Sequence, residues 1–411
     1  MSEWKKVKLG EISQTIQTGP FGSQLHQSDY SVIGIPVVMP KDIIAGNIEE
    51  ASIARVEQHH IDRLSRHMIS YGDILYARRG DVGKCAFTKQ NQEGWLCGTG
   101  CLRVTINPDM ANPKFVFFQL QKQETIGWIT NHAIGSTMLN LNTTILSNAP
   151  VEIPSLRIQN RIVEILSRYD SLIENYQKQI KLLEEAAQRL YKEWFVDLHF
   201  PGHENTNIVD GVPEGWEKKK LCELFSFVRG KSYTSKELSD EGTIMVNLKN
   251  IQSFGGYKSD VEKHFIGTFK EEQTLMKGDL IMGVTDMTQE RRLVGSVALI
   301  PDFKETATFS MDLIKLISFK LPNIYLYCAM RYGDVSRQIA PLANGVNVLH
   351  LKPEAISNIE MVVASDSIIE KFVSYTSKTI ESILSLQSQL RLLTEARDRL
   401  LPKLMSGEIE I

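Results

Sequence analysis

The feature that most constrains this chain is that it is written twice. Glu3-Trp4-Lys5-Lys6-Val7-Lys8-Leu9-Gly10-Glu11-Ile12 returns as Gly215-Trp216-Glu217-Lys218-Lys219-Lys220-Leu221-Cys222-Glu223-Leu224, an offset of 212 (215 minus 3). Gly72-Asp73-Ile74-Leu75 returns as Gly278-Asp279-Leu280-Ile281, offset by 206 (278 minus 72), and Ala187-Gln188-Arg189-Leu190 as Arg397-Asp398-Arg399-Leu400, offset by 210 (397 minus 187). A period of half the chain is too long for a solenoid and predicts two equivalent domains, with the drift in offset absorbed by loop insertions. Each half opens on short apolar runs separated by Gly, Asn and Asp turns, such as Ile35–Met39 and Leu102–Ile106, then Ile244–Leu248 and Leu313–Ile317, which predict strands.

Each half closes differently. From Leu156 the apolar positions Ile158, Ile162, Ile165, Tyr169, Leu172, Tyr176, Ile180, Leu183, Ala187 and Leu190 advance by threes and fours, with a stutter where a four replaces a three. The second copy runs Ile369, Phe372, Thr376, Ile380, Ile383, Leu386, Leu390, Leu393 and Leu400, entered through Ser367 and Glu370 as a capping box. Pro201-Gly202 and Pro402 are expected to stop the two helices. A helix of ~40 residues is ~60 Å long, and a narrow apolar stripe on it needs a partner. The two stripes bury each other most simply; packing of each helix on its own half is the alternative. The expected fold is therefore α+β: a tandem pseudo-twofold repeat of two mixed α/β domains (1–155 and 201–365, the latter with a linker), each followed by a long helix (156–200 and 366–411), the helices pairing as an antiparallel coiled coil.

Composition limits the function classes. The 411 residues are 42% hydrophobic and 23% charged, as in a soluble globular protein, with no apolar run long enough for a membrane span or signal peptide, so a cytoplasmic location is expected. Five cysteines without a C-x-x-C pair argue for reduced thiols over a disulfide framework or zinc site. The net charge of −3 does not by itself point to nucleic acid. Several motifs mislead. Gly230-Lys231-Ser232 lacks the first glycine of a phosphate loop, where Phe225 stands; Gly98-Thr99-Gly100 lacks the third glycine of a dinucleotide fingerprint. His59, His60 and His67 have no acidic or cysteine partner at ligand spacing, and Gly72-Asp73 and Gly278-Asp279 are turns opening equivalent strands.

Three phrases then narrow the reading: Glu193-Trp194-Phe195-Val196-Asp197 with Phe200-Pro201-Gly202, Val212-Pro213-Glu214-Gly215-Trp216, and Arg399-Leu400-Leu401-Pro402-Lys403-Leu404-Met405-Ser406-Gly407-Glu408-Ile409. In this order on a twofold repeat, they make the whole chain resemble the specificity subunits of type I restriction-modification enzymes. The resemblance implies two target-recognition domains, each reading one half of a split double-stranded DNA target, and a helix pair that sets the gap and docks partners. It implies two methyltransferase subunits, which methylate adenine N6 from S-adenosylmethionine, and two motor-nuclease subunits using ATP and Mg. It implies no catalytic site or cofactor in this chain, in keeping with the lack of an Asn-Pro-Pro-aromatic segment for holding a flipped adenine. An alternative class is a scaffold whose helical hairpin joins two protein-binding domains.

Base reading calls for polar side chains on exposed loops beside glycines. In the first half the candidates are Gly19, Phe21, Ser23 and Gln24; Arg78, Arg79 and Lys84; and Ser136, Thr137 and Asn140. In the second they are Arg229, Lys231, Ser232 and Tyr233; Asn247 and Lys249; Arg291 and Arg292; and Asn344 and Asn347. Loops that match in position between halves are favoured, Gly19–Gln24 with Arg229–Tyr233 and Gly135–Asn140 with Gly345–His350. At the place of Arg78-Arg79 the second half departs, with Met282-Gly283-Val284-Thr285 there and Arg291-Arg292 further on, which argues against a shared contact mode. Trp194 and Phe195 are read either as helix-pair core or as an exposed docking surface.

Overall fold

The structure is a computed structural model, and it describes residues 4–135, 139–259 and 263–411. The chain divides into two compact units, Met1–Tyr169 with Arg397–Ile411, and Asp170–Ala396. Each holds one copy of the repeat, and the strand order is the same in both. In the first unit, Ser13–Thr18, Cys101–Ile106, Ile74–Ala77 and Cys85–Phe87 form a four-stranded antiparallel sheet in that order. In the second, Phe225–Arg229, Leu313–Ser318, Leu280–Gly283 and Val297–Leu299 repeat it. A second sheet repeats likewise: Leu96–Cys97 lies parallel to Ile35–Val38, followed by Ala54–Val56 and Tyr30–Ser31; Ala307–Phe309 lies parallel to Thr243–Val246, followed by Lys263–Phe265 and Leu238–Ser239. The repeated opening phrase forms an edge ribbon in each copy, Lys5–Lys8 with Pro150–Ile153 and Glu217–Lys220 with Glu360–Val363.

The Gly-Asp-apolar phrase leads into a strand buried at every residue in each unit. Gly72 and Gly278 take φ of 87° and 84°, which a residue with a Cβ tolerates poorly. Asp73 and Asp279 accept the amides of Ser70 and Met276 and face a buried cation, Arg103 in one copy and Lys315 in the other. Their role is to close a turn. The strands that follow are buried on both faces, which explains why they read as continuous apolar runs. Ile74 and Tyr76 enter one core with Phe115, while Leu75 enters another with Val38 and Ile43; Leu280 and Met282, then Ile281, divide in the same way.

The long helices are Leu156–Tyr191, extended by a π-helical turn over Lys192–Val196, and Asp366–Ser406. Along the first, Leu166, Ile173, Ile180, Ala187 and Trp194 are buried at steps of seven, whereas Leu172 is 43% exposed. The seam therefore runs through Ile173 in place of Leu172 and is a regular heptad, which corrects the stutter expected between Tyr176 and Ile180. The helices run antiparallel. In the second unit, Tyr191 packs edge-on and Trp194 tilted against Phe372, with ring centroids 6.0 and 5.8 Å apart, so the end of the first helix meets the start of the second. In the first unit, Ile162 and Leu166 share a core with Leu404 and Met405. The second helix also packs on its own domain, with Arg391 Nη2 donating to the Phe303 carbonyl at 2.8 Å, so both packing arrangements weighed from the sequence occur together.

Two helix boundaries differ from expectation. Asp366 begins the second helix, with the amides of Ile368 and Ile369 bonded to the Ser365 carbonyl, so Ser367 lies in the first turn and is not the cap. Pro402 does not stop that helix, which continues to Ser406. Proline costs one backbone hydrogen bond and crowds the preceding turn; burial of Leu404 and Met405 against the first unit's core offsets that loss. The helix instead ends at Gly407, with φ of 76° against the Trp4 indole. No helix among the described residues is long and apolar enough to cross a membrane.

Candidate nucleic-acid interface

In each unit the candidate loops converge on one short turn between strands. The hub in the first unit is Gly98-Thr99-Gly100. A Cβ on Gly19 would fall 1.9 Å from the Gly98 carbonyl oxygen, so the two backbones touch and only glycine fits. The Arg78 amide donates to the Gly100 carbonyl (2.8 Å), and the Leu141 amide to the Arg78 carbonyl (2.8 Å). Arg79 bridges to Asn140, which pairs in both directions with Ile134. The loops carrying Phe21–Gln24, Arg78-Arg79 and Asn140 thus form one cluster. Ser136 and Thr137 lie outside the described residues.

The second unit builds the same node from different side chains. A Cβ on Gly230 would fall 2.0 Å from the Ser310 carbonyl oxygen. The Val284 amide donates to Asp312 (2.9 Å) and the Leu351 amide to Val284 (2.8 Å). Thr285 pairs with His350, which pairs in both directions with Asn344. Arg78 and Arg79 correspond to Val284 and Thr285, and Asn140 to His350. The backbone is a shared frame, and its decoration differs.

Within the first cluster the guanidinium of Arg78 lies 5.8 Å from the centroid of the half-exposed Phe21 ring. Burial, and then the adjacent Arg79 charge, lower the pKa of Arg78, and its Nε has no partner among the described residues. Arg79 is exposed, and a guanidinium is suited to donate to an anion or an acceptor-rich edge. Gln24 Oε1 accepts the Phe21 amide (3.0 Å), shaping that loop; Ser23 is exposed; Lys84 is exposed and 3.1 Å from Asp81. Gly19 is buried, so its part is to let the strands approach, and it leaves the contact set.

In the second unit Arg229 is exposed and paired with Glu354 at 2.6 Å, which holds that carboxyl below its usual pKa. Lys231 is bonded through its backbone to Phe309 and Met311; Ser232 is exposed, and Tyr233 packs edge-on to Phe265. Asn247 is corrected from contact to turn residue. It is buried, its side-chain oxygen accepting from the Lys249 amide (3.0 Å) and its amide group donating to Met245, while Lys249 itself is exposed. Asp286, fully buried, accepts from Thr288 and Leu293 and folds the loop that carries Arg291 and Arg292. Arg291 has φ of 53° and a buried Nε without a partner among the described residues; Arg292 pairs with Glu290. Gln289 Nε2 donates to the Val346 carbonyl (2.8 Å), tying this loop to the one that exposes Asn344 and Asn347.

The sequence alone also pointed elsewhere, and those residues have structural work. His59 and His60 stack on each other, while His67 is buried with Nδ1 against the Thr18 carbonyl and Nε2 accepting from Arg66. Cys85, Cys97 and Cys328 are pushed up to about 12 by burial, and Cys222 is exposed. Trp194 and Phe195 are core, Phe195 lying among Phe372, Tyr325 and Trp216.

Comparison with known proteins carries these observations further. Residues 1–185 match the model of the type I restriction modification DNA specificity domain. The MjaIX specificity subunit of Methanocaldococcus jannaschii is 26% identical, with the alignment covering 100% of this chain and 94% of the relative. The HindI specificity subunit of Haemophilus influenzae is 22% identical over the whole of both chains. The chain is similar to type I specificity subunits along its whole length. The crystal structure of a type I system S subunit from M. genitalium has the same fold, with a TM-score of 0.61 at 17% identity over 98% of this chain and 96% of that one. The signal for Thr285 and His350, which the choice of individual residues passed over, was the positional match of the Gly345–His350 loop with Gly135–Asn140.

Proposed function

We propose that this chain is the non-catalytic DNA-reading subunit of a type I restriction-modification complex. Each target-recognition domain reads one half of a split duplex target through the loop cluster at its hub turn. The observation that carries this reading is the shared frame: identical strand order and backbone bonds present Arg78, Arg79 and Asn140 in one unit and Val284, Thr285 and His350 in the other. A scaffold binding two copies of one protein has no need for such divergence at matched positions.

The antiparallel helices serve as the ruler between half-sites and as the platform for two methyltransferase subunits, with two motor-nuclease subunits completing the complex. S-adenosylmethionine, ATP and Mg then belong to those partners. Their surfaces supply the positive charge around the duplex that a chain of net charge −3 lacks. The reading is tested by co-expression with the cognate methyltransferase subunit and sequencing of the methylated host DNA. One split motif with methyladenine in both halves is expected, and exchange of residues 1–155 for those of a relative should change one half alone. Absence of any split motif despite co-purification of the subunits overturns it.

A further inference from the structure

The two units share a backbone arrangement at one loop pairing but fill it with different residues, and His350 sits at that point. In the first unit the strand pair of Ile134 with Asn140 is closed by amide bonds of 3.0 and 2.8 Å; in the second, Asn344 and His350 are joined by bonds of 3.0 and 2.9 Å. In both, the residue after the hub contact pairs with this position: Arg79 with Asn140, and Thr285 with His350. The station is therefore one place in the fold filled by two chemistries.

We infer that this station reads a base edge in each half-site, His350 braced on Thr285 in the second domain and Asn140 beside Arg79 in the first. His350 is exposed, whereas Thr285 beneath it is buried, with its Oγ1 3.3 Å from His350 Nδ1. The contact at Nδ1 orients the ring and leaves Nε2, which no described residue engages, as the outward hydrogen-bonding atom. The half-buried Asn140 side chain carries a donor and an acceptor together; its Oδ1 is shielded from solvent and unpartnered among the described residues, an acceptor that a base edge reaches by displacing its cover. An amide of that kind matches the paired acceptor and donor of adenine in the major groove, while a single imidazole nitrogen addresses one edge atom. The first domain thus reads two atoms at this station, with Arg79 adding donors, and the second reads one. Val346 and Met287, 87% and 76% exposed, flank the second station with apolar surface suited to a thymine methyl.

This inference rests on the proposed function. The test is selection from a duplex library randomised at both half-sites, using the full chain in complex with its methyltransferase partner. His350→Asn is expected to reduce the preference at one base pair of one half-site at least about fivefold, leaving the other half-site unchanged. Asn140→His should do the same in the opposite half-site, with melting temperatures of both complexes unchanged. Retention of the parent preference at every position by His350→Asn and by His350→Ala overturns the inference. So does uniform weakening on all sequences, the signature of a phosphate contact or a folding role. If the unsubstituted complex selects no split motif, it is the proposed function that fails; a normal motif indifferent to His350 refutes this inference alone.

Discussion

The buried ion pair between Glu184 and Arg331 offers the sharpest test of how the first long helix is held to the second domain. Glu184 lies on the long helix and Arg331 on the domain helix Asn323–Tyr332, and the pair is bidentate: Nη1 to Oε1 at 2.8 Å and Nη2 to Oε2 at 3.0 Å. The side chains are only 10% and 14% exposed. The guanidinium lies 5.5 and 5.2 Å from the Tyr327 and Tyr332 ring centroids, and Gly255 and Gly256 leave the room it needs, since a Cβ on either would come 2.9 Å from an Arg331 side-chain atom. A charge so enclosed depends on its partner. Removing one member of a buried pair costs roughly 3–5 kcal/mol, whereas replacing both by apolar residues of similar size is often neutral.

Glu184→Ala should therefore lower the melting temperature of the Asp170–Ala396 unit by roughly 6–20 °C, at about 2–4 °C per kcal/mol for a unit of this size. Glu184→Leu combined with Arg331→Met should recover most of that loss. Calorimetry on the full chain follows the transitions, and Trp194 and Trp216 fluorescence, read with Trp4, Trp95 and Trp128 replaced by Phe in every variant compared, assigns the one that moves to the second unit. A shift below about 2 °C for Glu184→Ala, or a double variant as damaged as the single one, refutes the reasoning, because either result means that the carboxylate is not what keeps Arg331 buried.

Two further predictions concern pH and length. His67 has its pKa lowered by burial first and then by Arg66, and its neutral ring is fixed by the Thr18 carbonyl and Arg66. The unfolded chain therefore takes up this proton at a higher pH than the folded one. The stability of the first unit is unaffected by this group above the unfolded value of ~6.5 and falls as pH drops below it, with a slope of at most about 1.4 kcal/mol per pH unit from this group; denaturant titrations from pH 8 to 5 should show His67→Gln flattening that slope, and an identical profile in the variant excludes the assignment. Inserting seven residues at matched points in both long helices keeps the heptad phase and lengthens each by ~10 Å, equivalent to ~3 base pairs at ~3.4 Å each. Methylome sequencing should then return both half-motifs unchanged with the gap widened by about three, and an unaltered gap removes the helices from the role of ruler.

What the sequence made legible follows from which interactions are local. The Gly-Asp turn, the buried strand after it and the heptad spacing of Ile180 and Ala187 each depend on residues a few positions apart, and all appear where expected. The misplacements arise where a distant partner decides. Leu172 fits the apolar spacing as well as its neighbour Ile173, yet the folded helix leaves Leu172 exposed and Ile173 buried, and Pro402 reads as a stop until Leu404 and Met405 find the core beneath Trp4 and Phe115. The same principle governs the interface. Asn247 resembled its exposed neighbours in type, yet its bonds to Met245 and Lys249 turn it inward. Gly98-Thr99-Gly100, read as a failed dinucleotide motif, is the hub because strands distant in sequence bring Gly19 and Arg78 onto it. A reading cluster assembled in this way from loop ends lets each side chain at the station change without disturbing the frame. Under the proposed function, that separation of frame from decoration is what lets one fold appear twice in a chain and address two different half-sites.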